Sequence, residues 1–152
     1  MGIEDNLKKL NIRLPEAPDP VGSYVAAKIA GNLIYISGQV SFDNNGKLIK
    51  GKVGQELNLE QAKEAARFCG LNILSQLKKI CDGDLEKVKG CVKITGFVNS
   101  IDTFVDQPKV INGVSDLISN VFEDKGKHAR AAVSVNSLPL GAAVEVEAIF
   151  EK

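Results

Sequence analysis

Residues His128 to Phe150 read HARAAVSVNSLPLGAAVEVEAIF. Two alternating runs rich in valine and alanine flank a segment holding Asn136, Ser137, Pro139 and Gly141. The stretch therefore predicts two strands, Arg130–Val135 and Ala142–Phe150, joined by a short loop as a hairpin. Three charges interrupt it: Arg130, Glu145 and Glu147. Strand parity puts Ala131, Val133 and Val135 on one face and Arg130, Ala132 and Ser134 on the other. In the last strand Val144, Val146, Ala148 and Phe150 form the apolar face, and Glu145, Glu147 and Ile149 oppose them. If the apolar faces meet helices, Arg130, Glu145 and Glu147 share a helix-free face. Pairing Val135 with Ala142 sets Arg130 across from Glu147 and makes Arg130 and Glu145 diagonal neighbours, about 7–8 Å apart. That gap would hold a small molecule. Read as a solvated cross-strand ion pair, the same residues contribute at most about 1 kcal/mol.

Upstream, the pattern alternates between strand and helix. Ile3, Leu7 and Leu10 share one face of a short N-terminal helix. Arg13–Gly22, RLPEAPDPVG, is an extended proline-rich connector. Ser23–Phe42 reads as two strands around a Gly31-Asn32 turn. The apolar run Leu33–Ser37 suits a strand covered on both faces. Lys47–Ile49 is a possible short strand after the Asp43–Gly46 turn. Asn58 caps a long helix whose inward stripe is Leu59, Ala62, Ala66, Cys69, Ile73, Leu77 and Ile80. Val88–Val98 is a strand with Val88, Gly90, Val92, Ile94, Gly96 and Val98 on one face. Pro108–Phe122 is a second helix, with Val110, Val114, Leu117, Ile118 and Val121 inward. The order β-β-(β)-α-β-α-β-β predicts an α+β fold with both main helices on one face of a sheet. The other face then needs a cover of its own.

Totals narrow the function. The 152 residues fit one domain, 1–152, with residues 1–20 as an N-terminal extension. Lysine plus arginine (19) balances aspartate plus glutamate (19), and aromatics make up 5%, so no nucleic-acid partner is expected. Cys69, Cys81 and Cys91 are odd in number, and His128 is the lone histidine, so no metal site is expected. Three buried or semi-buried thiols in a reducing cytosol fit this better. Gly46–Val53, GKLIKGKV, matches most of a phosphate-binding loop, but Val53 replaces the magnesium-ligating hydroxyl and no helix follows at once. It reads as a lysine-rich surface hairpin. No apolar run spans a membrane, the N-terminus lacks a signal core, and Asn6 breaks a myristoylation motif, so a cytoplasmic protein is expected.

Four segments, SYVAAKIAGNLIYISGQV, KITGFV, VINGVSDLISNVF and HARAAVSVNSLPLGAAVEVEA, in this order between Val21 and Ile149, resemble the RidA (YjgF, L-PSP) family. The closing A-R-x-x-V-x-V-x-x-L-P-x-G-x-x-V-E-x-E-A pattern carries most of the likeness. The resemblance implies a chorismate-mutase-like sheet with two helices on one face. It also implies a homotrimer whose sheets enclose a central barrel, with clefts between subunits. The implied activity is that of a 2-iminobutanoate/2-iminopropanoate deaminase-like hydrolase: 2-imino and enamine acids become 2-keto acids and ammonia, with no cofactor.

Carried over by position, Arg130 would bind the substrate carboxylate, for which a guanidinium has the matching two-pronged geometry. Glu145 would position or activate water. Tyr24, Ser37 and Asn112 would line the pocket, with Ala132 at a position often held by a small residue. Ser23 and His128 depart from the family's prolines, and the N-terminal extension and Gly46–Leu57 are long. On residue type alone His128 reads as a surface side chain, and Glu147 has no assigned part. A carboxylate-binding regulatory module without turnover is the alternative function. Endoribonuclease activity, a label some family members carry, fits the neutral charge less well.

Overall fold

Sheet topology follows from which segments can be buried on one face only. The computed structural model describes residues 2–152. In chain order it contains α1 (Ile3–Lys9), β1 (Ala27–Ala30), β2 (Leu33–Val40), α2 (Leu59–Ile80), β3 (Gly90–Asn99), α3 (Gln107–Phe122), β4 (Ala129–Val135) and β5 (Val144–Glu151). The five strands form one sheet in the order β1-β2-β5-β3-β4. All neighbours are antiparallel except β3 and β4. The α2 and α3 helices pack against each other and cover the same sheet face, α2 over β2 and β5 and α3 over β3 and β4. This is the α+β arrangement expected from the sequence.

Local chemistry fixes the helix positions. The Asn58 side chain accepts from the Gln61 backbone N–H while the Gln61 side chain accepts from the Asn58 N–H, a reciprocal cap that starts α2. Pro108 in the first turn of α3 costs no hydrogen bond there. The predicted stripes of both helices are buried, apart from the half-buried ends Leu59 and Ile80. The helices approach closely at Gly113, where a Cβ would lie 3.0 Å from the Lys63 carbonyl carbon and nearer still to its oxygen. The three cysteines are free and buried, and burial pushes the Cys91 thiol up to about 12.

Several expectations need correction. The C-terminal strands do not form a hairpin. The β3–α3–β4 crossover makes β4 parallel to β3 and fixes it at the sheet edge, so β5 inserts between β2 and β3. Arg130 pairs with Ile94, which pairs with Ala148, so Arg130 and Glu147 are not cross-strand partners. The face of β4 is also inverted. Arg130 and Ser134 bond to side chains of α3, whereas Val133 is 46% exposed on the helix-free side. The apolar-inward rule fails because β4 lies under the polar flank of α3, formed by Gln107, Asn112 and Ser115, rather than under its apolar stripe. Arg130 and Glu145 thus occupy opposite faces of the sheet.

Bulges account for two further differences. One between Cys91 and Lys93 buries Cys91 and turns Val92 outward. The other lies between Ile36 and Gln39. On β2, Ile34 and Ile36 are buried while Tyr35 is 44% exposed, so the strand is covered on one face within this chain. The Lys47–Ile49 segment makes only an isolated bridge, Phe42 with Leu48. Its hairpin-like turn leads to Lys52, whose Nζ donates to Asn99 Oδ1 and to the carbonyls of Ser100 and Asn136.

The N-terminal segment is strapped down. Asn6 Nδ2 donates to the Val121 carbonyl at 2.9 Å, and Ile3 and Leu7 join the core. Leu10, expected on the same face, is exposed, because the helix has ended before it. Two buried polar side chains of α2 then hold the proline-rich connector. Ser75 Oγ donates to the Pro15 carbonyl at 2.7 Å and Gln76 Nε2 to the Pro18 carbonyl at 2.5 Å.

Candidate active site

The predicted site residues fall into two groups at different places on the sheet. The first stands at the β4 edge, on the helix side. Arg130 Nη1 donates to Asn112 Oδ1 at 2.8 Å and to Ser115 Oγ at 3.2 Å, and Nη2 donates to the Pro108 carbonyl at 3.4 Å. All three acceptors are neutral, and among the described residues no carboxylate pairs with Arg130. Ala132, two residues on, faces the same way and packs against the core opposite Gly96.

His128 belongs to this group, contrary to its reading as a plain surface side chain. Its Nδ1 lies 2.6 Å from the Gly126 carbonyl and its Nε2 lies 2.9 Å from Ser115 Oγ. A carbonyl only accepts, so Nδ1 carries the proton and donates to it. In the neutral ring Nε2 then accepts from the Ser115 hydroxyl, and the Ser115 oxygen is free to accept from Arg130. Each donor meets one acceptor along this chain, so the guanidinium is held in a defined orientation. Ser115 escaped the sequence reading. Its three-residue spacing from Asn112 on one helix face was the available signal.

The second group surrounds Glu145, where β5 borders β2. The bulge in β2 falls at Ser37 and Gly38, and it brings the Gly38 backbone against the Glu145 side chain. A Cβ on Gly38 would sit 3.0 Å from Glu145 Cδ and 3.3 Å from Cγ, and nearer still to Oε2. Only glycine leaves the carboxylate this place. Burial, and secondarily the charge of Glu147, raise the Glu145 pKa above its usual value. Glu147 therefore lies beside Glu145 as a tuning charge. Ser37 Oγ donates to the Val25 carbonyl at 2.7 Å, and the Tyr24 hydroxyl accepts from the Val21 N–H at 3.3 Å. Tyr24, Gly38 and Glu145 line one cleft of about 400 Å³, which the proline-rich strap and Leu140 also border.

The two groups do not meet within one chain. The intervening β3 strand separates β4 from β5 by two strand spacings, about 10 Å, and Arg130 and Glu145 lie on opposite faces. Among the described residues neither Arg130 nor Glu145 forms an ion pair.

This topology, one mixed five-stranded sheet with two helices on a single face, is a chorismate-mutase-like fold. The chain belongs to the family described as "YjgF/chorismate_mutase-like, putative endoribonuclease", whose model matches residues 4–151. That match takes in most of the segment read from sequence as an extension. The chain is 44% identical over 147 residues to protein TCP17 of Trypanosoma cruzi, covering 96% of this chain and 91% of that one. It is 32% identical over 139 residues to human 2-iminobutanoate/2-iminopropanoate deaminase, covering 91% and 86%. Among solved structures, one titled a putative endoribonuclease from Shewanella oneidensis superposes with a TM-score of 0.95 at 29% identity, covering all of both chains.

Proposed function

We propose that this protein hydrolyses reactive 2-imino acids, and the enamines that tautomerise to them, to 2-keto acids and ammonia. The observation that carries this reading is the Arg130 guanidinium, held by three neutral oxygens and offered to a carboxylate that the chain itself does not supply. Relatives named imine deaminases, at 27–33% identity, support it. Arg130 clamps the substrate carboxylate, with Asn112 and Ala132 beside it. Glu145 takes a proton from the attacking water, and its raised pKa suits a general base. Tyr24 lines the approach, and Ser37, bonded to the Val25 carbonyl, supports the bulge beside it. Water adds its oxygen to C2, Glu145 passes the proton it took to the nitrogen, the proton of the new hydroxyl follows, and the C2–N bond breaks as the 2-keto group forms and nitrogen leaves as ammonia. No redox change occurs.

A site with both charges needs two copies of the chain, because one copy keeps them on opposite sheet faces. A homotrimer satisfies this, with Arg130 of one subunit facing the Glu145 cleft of the next, and with the helix-free faces carrying Tyr35 and Val133 turned inward. The test is generation of 2-iminobutanoate in situ by an amino-acid dehydratase, with loss of the imine followed against a trapping amine. Wild type accelerates the loss and Arg130→Ala does not. Full activity in Arg130→Ala overturns the reading. Calorimetry with 2-keto acids separates an enzyme from a binding module, which would bind without turnover. The family description and the putative endoribonuclease of Shewanella favour RNA cleavage as a second reading, while the zero net charge counts against a phosphate-binding surface. Cleavage by the purified protein, absent in Glu145→Gln, would establish it.

A further inference from the structure

We infer that the cleft beside Glu145 selects 2-imino acids with large apolar side chains, those derived from branched-chain or aromatic amino acids, and that the N-terminal strap and Leu140 set this preference. The inference rests on the reaction proposed above and names its substrate class.

The walls of the cleft argue for it. Pro18, Pro20 and Val21 come from the strap, Phe42 from beyond β2, and Pro139 and Leu140 from the turn before β5. All six are apolar. The charged groups facing the same space, Asp19 and Glu145, are both acidic and disfavour an anionic side chain. A cleft of about 400 Å³ is of ligand-binding size, and a methyl side chain would leave most of it to water.

Two features show that the wall is built in advance. Gln76, a buried residue of α2, donates to the Pro18 carbonyl, and Ser75 holds Pro15 in the same way. Prolines at both points restrict the backbone further. The strap thus needs little ordering when a ligand arrives. Leu140, on the opposite side, has φ 62°, in the left-handed region where a branched side chain is strained. Yet its side chain is 58% exposed and adds nothing to the core. Glycine would hold this turn without strain. A strained, exposed leucine at the mouth of a cleft is explained by contact with what enters the cleft.

The test compares imines generated in situ by an amino-acid oxidase, with catalase present, from alanine, leucine and phenylalanine. Each buried methylene is worth about fourfold in affinity. The leucine-derived imine, three carbons larger, is expected to show kcat/KM at least tenfold above the alanine-derived one. Leu140→Gly relieves backbone strain, so its melting temperature is expected to hold or rise, which verifies folding. Its leucine-to-alanine selectivity is expected to fall at least fivefold. Val21→Asp should reduce the same ratio. A flat or small-preferring profile, or unchanged selectivity in Leu140→Gly, overturns the inference while leaving the reaction intact. If no imine is hydrolysed, calorimetry with 4-methyl-2-oxopentanoate and pyruvate still decides. Tighter binding of the larger acid supports the pocket as the reaction reading falls, and equal binding overturns both.

Discussion

Gly38→Ala separates the chemistry of Glu145 from the stability of the fold. The new Cβ would stand 3.0 Å from Glu145 Cδ and closer to Oε2, whereas ordinary contact begins near 3.4 Å. The carboxylate must retreat by about 1 Å. It is the end of a flexible, half-buried side chain, so it can do so without moving the backbone. Gly38 is not among the glycines with positive φ, so alanine fits its backbone. The loss of unfolded-state freedom then stabilises by about 0.4–1 kcal/mol, against a comparable cost for the displaced side chain. The net change should stay within about 1 kcal/mol, or roughly 2–4 °C in Tm for a chain of this size. A 1 Å displacement of a catalytic group costs on the order of 100-fold in rate, about 2.7 kcal/mol of barrier. The expected result is a near-normal melting curve with imine hydrolysis reduced about 100-fold. The assay is the in situ imine reaction, run beside thermal denaturation. Activity within threefold of wild type, at unchanged Tm, would refute the placement of Glu145 at the reacting centre. A Tm loss above about 10 °C would instead show that the carboxylate cannot move.

Three further outcomes are expected. Because Glu145 must be ionised to act as a base, kcat/KM should rise with pH across a limb displaced above the ordinary carboxylate value of 4.5, and Glu145→Gln should abolish that limb. The same shift has a stability consequence. The folded state holds this proton more tightly than the unfolded state, so stability declines as pH rises through the window above 4.5. Glu145→Gln should therefore raise Tm at pH 7, with the gain shrinking towards pH 4. Ser115→Ala, which breaks the link from His128 to Arg130, should raise KM for 2-imino acids about tenfold, one charged hydrogen bond's worth, with a smaller effect on kcat. With Ser115 intact, His128→Gln, which can still accept from its hydroxyl, should keep most of the wild-type binding where His128→Leu does not. Gly113→Ala should destabilise by about 3 kcal/mol, and lower Tm by roughly 6–12 °C in thermal denaturation, because its Cβ meets the Lys63 backbone rather than a side chain that can turn away.

Periodicity made the helices and the order of elements legible. The stripes of α2 and α3 are long, and each faces a sheet. Pairing was not legible, because a short loop between adjacent strands looks the same whether they form a hairpin or step across a third strand. The β3–α3–β4 crossover decided it: a helix between the two strands lets them pair in parallel, and no residue of β4 marks the edge position. Parity failed on β4 because alanine and valine are apolar enough for either face. The polar flank of α3 selected Arg130 and Ser134 instead. On β3 and β2 the bulges broke the count of two, and a bulge has no fixed sequence mark. The candidate residues carried over from the family likeness sort into two groups because that pattern records identity by position, not which sheet face each residue occupies. Ser115, His128 and Leu140 stood outside the pattern, so geometry alone brought them in.

The surroundings of Arg130 and Glu145 also explain how a folded chain tolerates two unbalanced charges. Arg130 keeps partial exposure and three neutral hydrogen-bond acceptors, so its charge is solvated without an internal anion. Glu145 is half-buried and lies near a second acid, so its ionised form is already disfavoured. Under the proposed trimer, a neighbouring subunit would remove water from both. For Arg130 the loss is offset only when a carboxylate binds, which makes occupancy of the clamp specific for anions. For Glu145 further desolvation raises the pKa, while the Arg130 charge that the neighbouring subunit brings to the cleft lowers it and favours the ionised base. An arriving 2-imino acid would then meet Arg130 as the donor for its carboxylate and Glu145, in its ionised form, as the acceptor for the proton of water. Assembly and catalysis would be linked through one term, the desolvation of charges that each chain leaves unpaired.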